Sequence, residues 1–274
     1  MSMPPGPQDP FDPRSFPEPP TRYRGGADPL VPGDVGGWIE RVVGVVRRSW
    51  PALLPVQLAA TAAGVGVGAA AGPPFDGTPL DPTTIGPDFL GTTVLAGAVM
   101  LLVTAVAAAV SVVLVVRHAA GDPLTIGQAT AIAGGRVLPL AGWLLVAGLL
   151  IVAGTLLILP AIYLGVVFVA SLYGVVVVER GGIGRCFALV NPRLVPTLGR
   201  ILLAVGAYFA FLATVDLLMS VLGAGPVATT VAQVAAGSVV GVVGVAVAVV
   251  TYAELRAGER PGVSTATLAA QLIA

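Results

Sequence analysis

The sequence predicts an all-α integral membrane protein with six transmembrane helices, and three observations support this fold class. Hydrophobic residues make up 56% of the 274 positions and charged residues only 10%, whereas about a quarter of the residues in a soluble domain are charged. The apolar residues form runs of roughly 20, the length of helix that crosses the hydrocarbon core of a bilayer. All 14 basic residues are arginines, and they occur only in alternate connections between these runs. The lipid bilayer is therefore the expected solvent of most of the chain.

The N-terminal residues 1–32 contain ten of the 24 prolines, mixed with glycine and charged residues. This composition favours extended backbone and cannot bury a core. It predicts a disordered cytoplasmic tail ahead of a membrane domain over residues 33–274. The tail could dock a cytoplasmic partner or be a solvated leader, and the leader is favoured because no proline-rich ligand motif with a specific flank stands out.

The predicted spans are predominantly apolar and long enough to cross a membrane. They cover residues 51–71, 93–116, 138–159, 161–178, 201–222 and 229–250. Residues 138–178 form one nearly unbroken apolar run, which as a helix would extend about 60 Å, twice the hydrocarbon thickness. The run must therefore fold back, and Leu159-Pro160 is the predicted turn.

The positions of the arginines predict the orientation, because short loops rich in arginine stay in the cytoplasm. With six spans, every arginine lies on one side, and the outer connection 72–92 carries only Asp76, Asp81 and Asp88. Both termini are then cytoplasmic. The absence of lysine and the abundance of alanine, glycine, valine and proline suggest a GC-rich bacterial genome, which makes the bacterial cytoplasmic membrane the expected location.

Three cytoplasmic segments enter the odd-numbered spans through the same pattern, R-x-x-P. The motifs are Arg48-Ser-Trp-Pro51, Arg136-Val-Leu-Pro139 and Arg193-Leu-Val-Pro196. An amphipathic stretch precedes each motif, at residues 33–50, 125–133 and 183–191, and predicts a helix on the membrane surface. A threefold repeat of surface helix and two-span hairpin would explain the pattern. Convergence explains it equally well, since proline suits the first turn of a helix and arginine suits a cytoplasmic boundary.

Longer motifs resemble a known family over most of residues 30–274. The likeness lies in the entry segment DPLVPGDVGGWIERVVGVVRRSW, in the central hairpin LPAIYLGVVFVASLYGVVVVERGGIGRCFALV, and in the closing TYAELR. With these features the chain resembles bacterial membrane proteins related to the membrane domain associated with glycerophosphodiester phosphodiesterases, especially their stand-alone actinobacterial versions. The positions that match the family pattern are Glu179, Arg185, Leu189, Tyr252, Glu254 and Arg256. Among these, Glu179 and Arg185 are candidate functional residues, while Cys186 and Asn191-Pro192 depart from the family's Ser and Arg-Gly.

The residues predict a protein that is not an enzyme and has no metal or cofactor. The phosphodiesterase reaction that the family name suggests needs clustered acidic and histidine ligands for a metal, and the chain has one histidine, His118. One histidine cannot build a metal site, so His118 is expected at the membrane interface. The single cysteine, Cys186, excludes an intramolecular disulfide. A net charge of zero without a basic block makes nucleic acid an unexpected partner.

Glycines recur every fourth residue in two spans, which places small residues along one helix face where backbones can approach closely. They are Gly64, Gly68 and Gly72 in the first span, and Gly237 and Gly241 in the last. Helix packing within the molecule and homodimerisation both fit this pattern.

Asp216 is the ionisable residue that lies well inside a predicted span. A carboxyl at that depth costs a few kcal/mol unless it is paired, protonated or hydrated, so it marks a candidate functional site. A neutral or hydrogen-bonded structural role remains open.

The leading functional hypothesis is a non-enzymatic membrane module that scaffolds or regulates partner proteins. It rests on the missing catalytic groups, the tail and the predicted surface helices. The alternative is a transporter, or a protein that handles lipids or small molecules, using Asp216.

Overall fold

The computed structural model describes residues 28–72 and 87–273, which form helices and connections without a β-strand. The helices are α1 Val35–Ala71, α2 Pro87–Ala119, α3 Ile126–Thr155, α4 Leu159–Val177, α5 Ile183–Val190, α6 Leu194–Val221, α7 Pro226–Glu259 and α8 Thr265–Gln271. Six helical segments are long and apolar enough to cross a membrane: α1, α2, α3, α4, the α5–α6 segment and α7. The predicted all-α fold with six candidate spans is confirmed.

The six long helices form a bundle with α6 at its edge. α1 packs against α2 and α7, α3 packs between α2 and α4, and α4 also contacts α7, while α6 lies mainly against α7. We call one end of this bundle the arginine-rich end; it comprises residues 28–50, 117–136, 179–200 and 252–273. Burial is concentrated toward this end, in residues 105–116 of α2, 166–177 of α4 and 242–256 of α7. Packing loosens toward the opposite end.

Helix boundaries differ from the predicted ones because helices continue beyond their apolar stretches. Residues 35–50 are helical, but they continue into the first span as one helix with Pro51 and Pro55 inside it. Residues 126–133 likewise begin α3, whereas Ile183–Val190 forms a separate short helix. The position of these segments on a membrane surface, and the threefold repeat, stay predictions.

The turn between the third and fourth spans lies slightly before its predicted place. α3 ends at Thr155 and α4 begins at Leu159, so the connection is residues 156–158. Pro160 lies in the first turn of α4, where its missing N–H costs no hydrogen bond. The turn is therefore at residues 156–158 and not at the predicted Leu159-Pro160, which begins α4.

The predicted tail boundary at residue 32 is wrong, because residues 28–32 pack against the bundle. Asp28 accepts hydrogen bonds from the backbone N–H of Thr265 at 2.9 Å and from its hydroxyl at 2.5 Å, and Leu30 is fully buried. These contacts fix the start of α8, a helix that the sequence reading did not predict. Residues 1–27, and residues 73–86 with Asp76 and Asp81, lie outside the described part of the chain.

Candidate functional site

Glu179 is the centre of an ionic network of five side chains at the arginine-rich end. Its Oε2 accepts a hydrogen bond from Arg185 Nε at 2.8 Å, and its Oε1 accepts one from the Tyr252 hydroxyl at 2.8 Å. Oε1 also lies 3.1 Å from Arg256 Nε. Arg185 donates two hydrogen bonds to Glu259, at 2.6 and 2.5 Å, and Arg256 Nη1 donates to Glu259 at 3.1 Å. Two carboxylates and two guanidinium groups therefore balance each other.

Backbone features of three elements bring these side chains together. α4 ends at Val177, so Glu179 lies in the turn before α5, which carries Arg185. Tyr252 is fully buried in α7 and lies directly over Gly174 of α4. A Cβ atom at position 174 would lie 2.5 Å from Tyr252 Cδ2, closer than real atoms pack. Glycine at 174 therefore lets the ring approach α4 and its hydroxyl reach Glu179.

The side chains of the network differ in their exposure to the surroundings. Side-chain exposure is 5% for Arg256 and 13% for Glu179 but 34% for Glu259. Removing one partner of a buried ion pair costs about 3–5 kcal/mol, since the remaining charge loses its compensation. The network thus holds the α4–α5 turn against the end of α7, and no bond-making chemistry follows from it.

The structure also places the remaining family-matched positions. Glu254 forms an ion pair with Arg200 at 2.6 Å, with side-chain exposures of 13% and 9%, and this pair joins α7 to α6. Leu189 is buried on α5, where the neighbouring Phe187 ring lies 5.9 Å from the Tyr163 ring. The positions selected by the resemblance therefore join four helices at one end of the bundle.

Each R-x-x-P arginine donates a hydrogen bond to a backbone carbonyl in a distant part of the chain. Arg48 bonds Pro29 at 3.4 Å, Arg136 bonds Leu272 at 2.5 Å, and Arg193 bonds Gly258 at 3.4 Å. Arginine at this place therefore ties segments of the arginine-rich end together.

A cavity of about 880 Å³ lies among the helices, and all six predicted spans contribute to its wall. Most of its lining is apolar; it includes Met100 of α2, Ile151 of α3 and Leu172 of α4. The lining residues Val169 and Tyr208 are 46% and 39% exposed, so the cavity is open to the surroundings of the bundle. Its volume is within the range of roughly 300–1,000 Å³ that is common for small-molecule sites.

Gln57 is a buried polar residue in the wall of this cavity that the sequence reading missed. It lies in the first span, is 9% exposed, and donates a hydrogen bond to Ser111 at 3.0 Å. Its amide oxygen lies so close to Gly241 that a side chain at 241 would displace it. A lone glutamine within an apolar run was the available signal, because amides inside membranes bond across helices.

The glycine faces lie at contacts within the molecule. A Cβ at Gly237 would lie 3.0 Å from Thr61 of α1, and one at Gly64 would lie 3.3 Å from Met100 of α2. Gly241 faces Gln57 as described, Gly68 is buried in α1, and Gly72 ends that helix with a φ of 69°. Homodimerisation through these faces stays a prediction.

Asp216 lies on α6, exposed and away from the cavity. Within residues 28–72 and 87–273, it makes no hydrogen bond or ion pair, and the hydroxyl of Thr214, two residues earlier, donates to the backbone carbonyl of Ala210. The structure therefore does not bring Asp216 together with Glu179 and Arg185.

The remaining candidate groups do not form a reactive cluster in the described part of the chain. His118 Nε2 lies 3.3 Å from the carbonyl oxygen of Leu124, and Cys186 is fully buried. No group of three or more metal-ligating side chains occurs among the described residues.

Comparison with models of protein families, with curated proteins and with solved structures finds no match to this chain. The resemblance to the phosphodiesterase-associated membrane domain therefore stays a prediction from the quoted motifs.

Proposed function

We propose that this protein is a non-enzymatic membrane protein that binds a lipophilic molecule, such as an acyl chain of a membrane lipid, in the 880 Å³ cavity. The cavity is the observation that supports this proposal. An apolar, open space within the membrane-spanning part of a bundle accepts hydrocarbon without desolvating a charge. Gln57 and Thr61 supply the polar atoms that could orient a bound ester or hydroxyl group.

This proposal takes up lipid or small-molecule handling, the alternative in the sequence reading, but without Asp216. Asp216 lies eight residues beyond Tyr208, about 12 Å along α6 by helical rise, and is not part of the cavity wall. Proton-coupled transport through that carboxyl therefore has no geometric support. We further propose that the arginine-rich end faces the cytoplasm of a bacterial cell, following the rule that positive loops are retained there.

The proposal is tested by filling the cavity. Gly148 of α3 and Gly244 of α7 both line it, and a Cβ at either position meets no atom within 4 Å. Leucine at both positions should therefore occupy the cavity without breaking the bundle. The probe is a phosphatidylcholine with a diazirine in one acyl chain, incorporated into nanodiscs with the purified protein and photoactivated.

We expect crosslinks on cavity residues such as Met100 and Tyr173 in the wild type and their loss in Gly148→Leu/Gly244→Leu. Gly142→Leu is the matched control, since Gly142 is exposed on α3 with free space around it but does not line the cavity. Crosslinks that are equal in wild type and cavity-filled protein would contradict the proposal.

A second candidate function, assembly with another membrane helix, is favoured by α6. The buried residues of α6 are confined to its first turns, at Thr197, Arg200 and Ile201. The rest of this helix is not buried, and Asp216 is exposed on it. A carboxyl that faces hydrocarbon is unfavourable, whereas a polar group on a neighbouring chain could accept its hydrogen bond.

Mass photometry of nanodisc-embedded protein tests self-assembly, the simplest form of this function. If copies pair through Asp216, Asp216→Leu should convert oligomers to monomers, while Asp216→Asn should retain them because the amide still hydrogen-bonds. If the wild-type protein is a monomer at all concentrations, self-assembly through Asp216 is contradicted.

A further inference from the structure

A second cavity, of about 410 Å³, lies at the arginine-rich end between α3 and the end of α4. Two arginines and one tryptophan give it its chemistry: Arg136, Arg180 and Trp143. The rest of its wall is Ile132, Gly135, Pro139, Val176 and Gly181. No carboxylate is among these lining residues, so the cavity carries positive charge without a counter-charge of its own.

Arg136 is buried at this cavity with an unsatisfied donor. The residue is 5% exposed, and its Nη2 donates to the Leu272 carbonyl oxygen at 2.5 Å. Its Nη1 is also buried and has no hydrogen-bond partner within residues 28–72 and 87–273. A buried cation with an unmatched donor is costly, and an anion in the cavity would satisfy both the charge and the donor.

Arg180 brings a second positive charge to the same space. Its charge acts on Arg136, and like charges in one cavity destabilise each other unless an anion lies between them. The described part of the chain offers Arg180 no carboxylate, because its neighbour Glu179 is engaged by the ionic network. Arg180 also has a φ of 56°, a left-handed conformation that is uncommon for a residue with a side chain.

Three other arginines at this end of the bundle are neutralised within the molecule. Arg185 and Arg256 pair with glutamates of the network, and Arg200 pairs with Glu254. Among the described residues, the buried arginines are Arg136, Arg200 and Arg256, and of these Arg136 is the one without a carboxylate partner.

We propose that this cavity binds a phosphate group, either as free phosphate or as the headgroup of an anionic phospholipid. Guanidinium groups present planar forks of donors that match phosphate oxygens, and two such groups can hold one phosphate from two sides. Trp143 supplies an apolar wall beside them, and its ring is held by close packing against Gly182. This site is separate from the large cavity and does not depend on lipophilic binding there.

Intrinsic tryptophan fluorescence provides the measurement, because Trp143, one of the three tryptophans in the chain, lines the cavity. The purified protein in maltoside micelles is titrated in one arm with sodium phosphate, and in a second arm with phosphatidic acid mixed into the micelles. Sodium acetate at equal ionic strength controls for general salt effects. We expect a saturable change in at least one arm, which identifies the source of the phosphate, and no saturable change with acetate.

The variants assign the response to the cavity. Arg180→Gln should weaken the apparent affinity about tenfold or more, in line with the loss of a charge-assisted hydrogen bond, and Arg136→Gln should do the same. Arg260→Gln removes one charge at the end of α7 from a residue that, unlike Arg180, does not line the cavity, and it should leave the affinity within about twofold of wild type.

Because Arg136 also bonds Leu272, Arg136→Gln could unfold the C-terminal segment, and the Arg180→Gln result then decides. No saturable response in either arm would overturn the proposal. Equal affinities for wild type and Arg180→Gln would also overturn it.

Discussion

The close contact between Gly174 and Tyr252 gives the sharpest test of how the arginine-rich end is built. Gly174→Ala places a Cβ within 2.5 Å of the Tyr252 ring, and the ring is fully buried. The tyrosine must move or α4 and α7 must separate, and such overpacking costs about 1–3 kcal/mol.

Movement of the ring also withdraws the Tyr252 hydroxyl from Glu179, which it reaches at 2.8 Å. A hydrogen bond to a charged group contributes about 1.5–3 kcal/mol. Alanine recovers up to about 1 kcal/mol through its higher helix propensity. The expected net loss in the free energy of unfolding is therefore about 1.5–5 kcal/mol.

Gly165→Ala is the matched control, because it makes the same substitution in the same helix. A Cβ at position 165 meets no atom within 4 Å, so only the propensity gain of up to about 1 kcal/mol remains. The two variants should change stability in opposite directions.

Thermal unfolding in maltoside, followed by tryptophan fluorescence, measures both variants against the wild type. We expect Gly174→Ala to melt several degrees lower and Gly165→Ala to melt at the same temperature or slightly higher. If Gly174→Ala is as stable as the wild type, or if both variants lose the same stability, the proposed packing of Tyr252 over α4 is refuted.

Two further predictions concern the network and the orientation. Glu179→Gln leaves two arginines of the network undercompensated and should lower the free energy of unfolding by about 3 kcal/mol, measured by the same melts; a loss below 1 kcal/mol would show that the network is dispensable. Native Cys186 is fully buried, so labelling it cannot report orientation. In a Cys186→Ala background, cysteine at exposed Gly184 should react with an impermeant thiol reagent only after permeabilisation. Cysteine at Val227, 79% exposed near the start of α7, should react in intact cells, and the reverse pattern would invert the proposed topology.

Local sequence patterns were sufficient to predict the spans, because a lipid solvent imposes long apolar runs. The helix boundaries were predicted less well, since the helix expected over residues 33–50 is continuous with the first span in α1, and α7 continues to Glu259. Both helices extend into polar sequence where tertiary contacts stabilise them; for example, Trp38 of α1 donates a hydrogen bond to Thr251 of α7 at 3.0 Å. Hydropathy alone does not predict such contacts, so it does not predict where these helices end.

Glu179 and Arg185 were candidates from the sequence, and their partners Tyr252 and Arg256 were among the family-matched positions, but Glu259 was not singled out. Glu259 lies 74 residues beyond Arg185, and only the packing of α7 against α4 brings the two together. Gln57 was missed for a different reason: it carries no charge, so the search for ionisable residues inside spans selected Asp216. The structure places Gln57 in a cavity wall and Asp216 on an exposed face.

The arginine-rich end of the bundle and the large cavity are held by different kinds of contact. At the arginine-rich end, directional contacts such as the Arg200–Glu254 pair and the Tyr252–Glu179 hydrogen bond fix the helices against each other. Such contacts are lost steeply with small displacements, so this end should resist deformation. The large cavity lies in the middle of the bundle, beyond these ion pairs, where apolar side chains make non-directional contacts that tolerate helix displacement. A molecule entering the cavity can therefore spread the helices locally without breaking the ion pairs that hold the fold together.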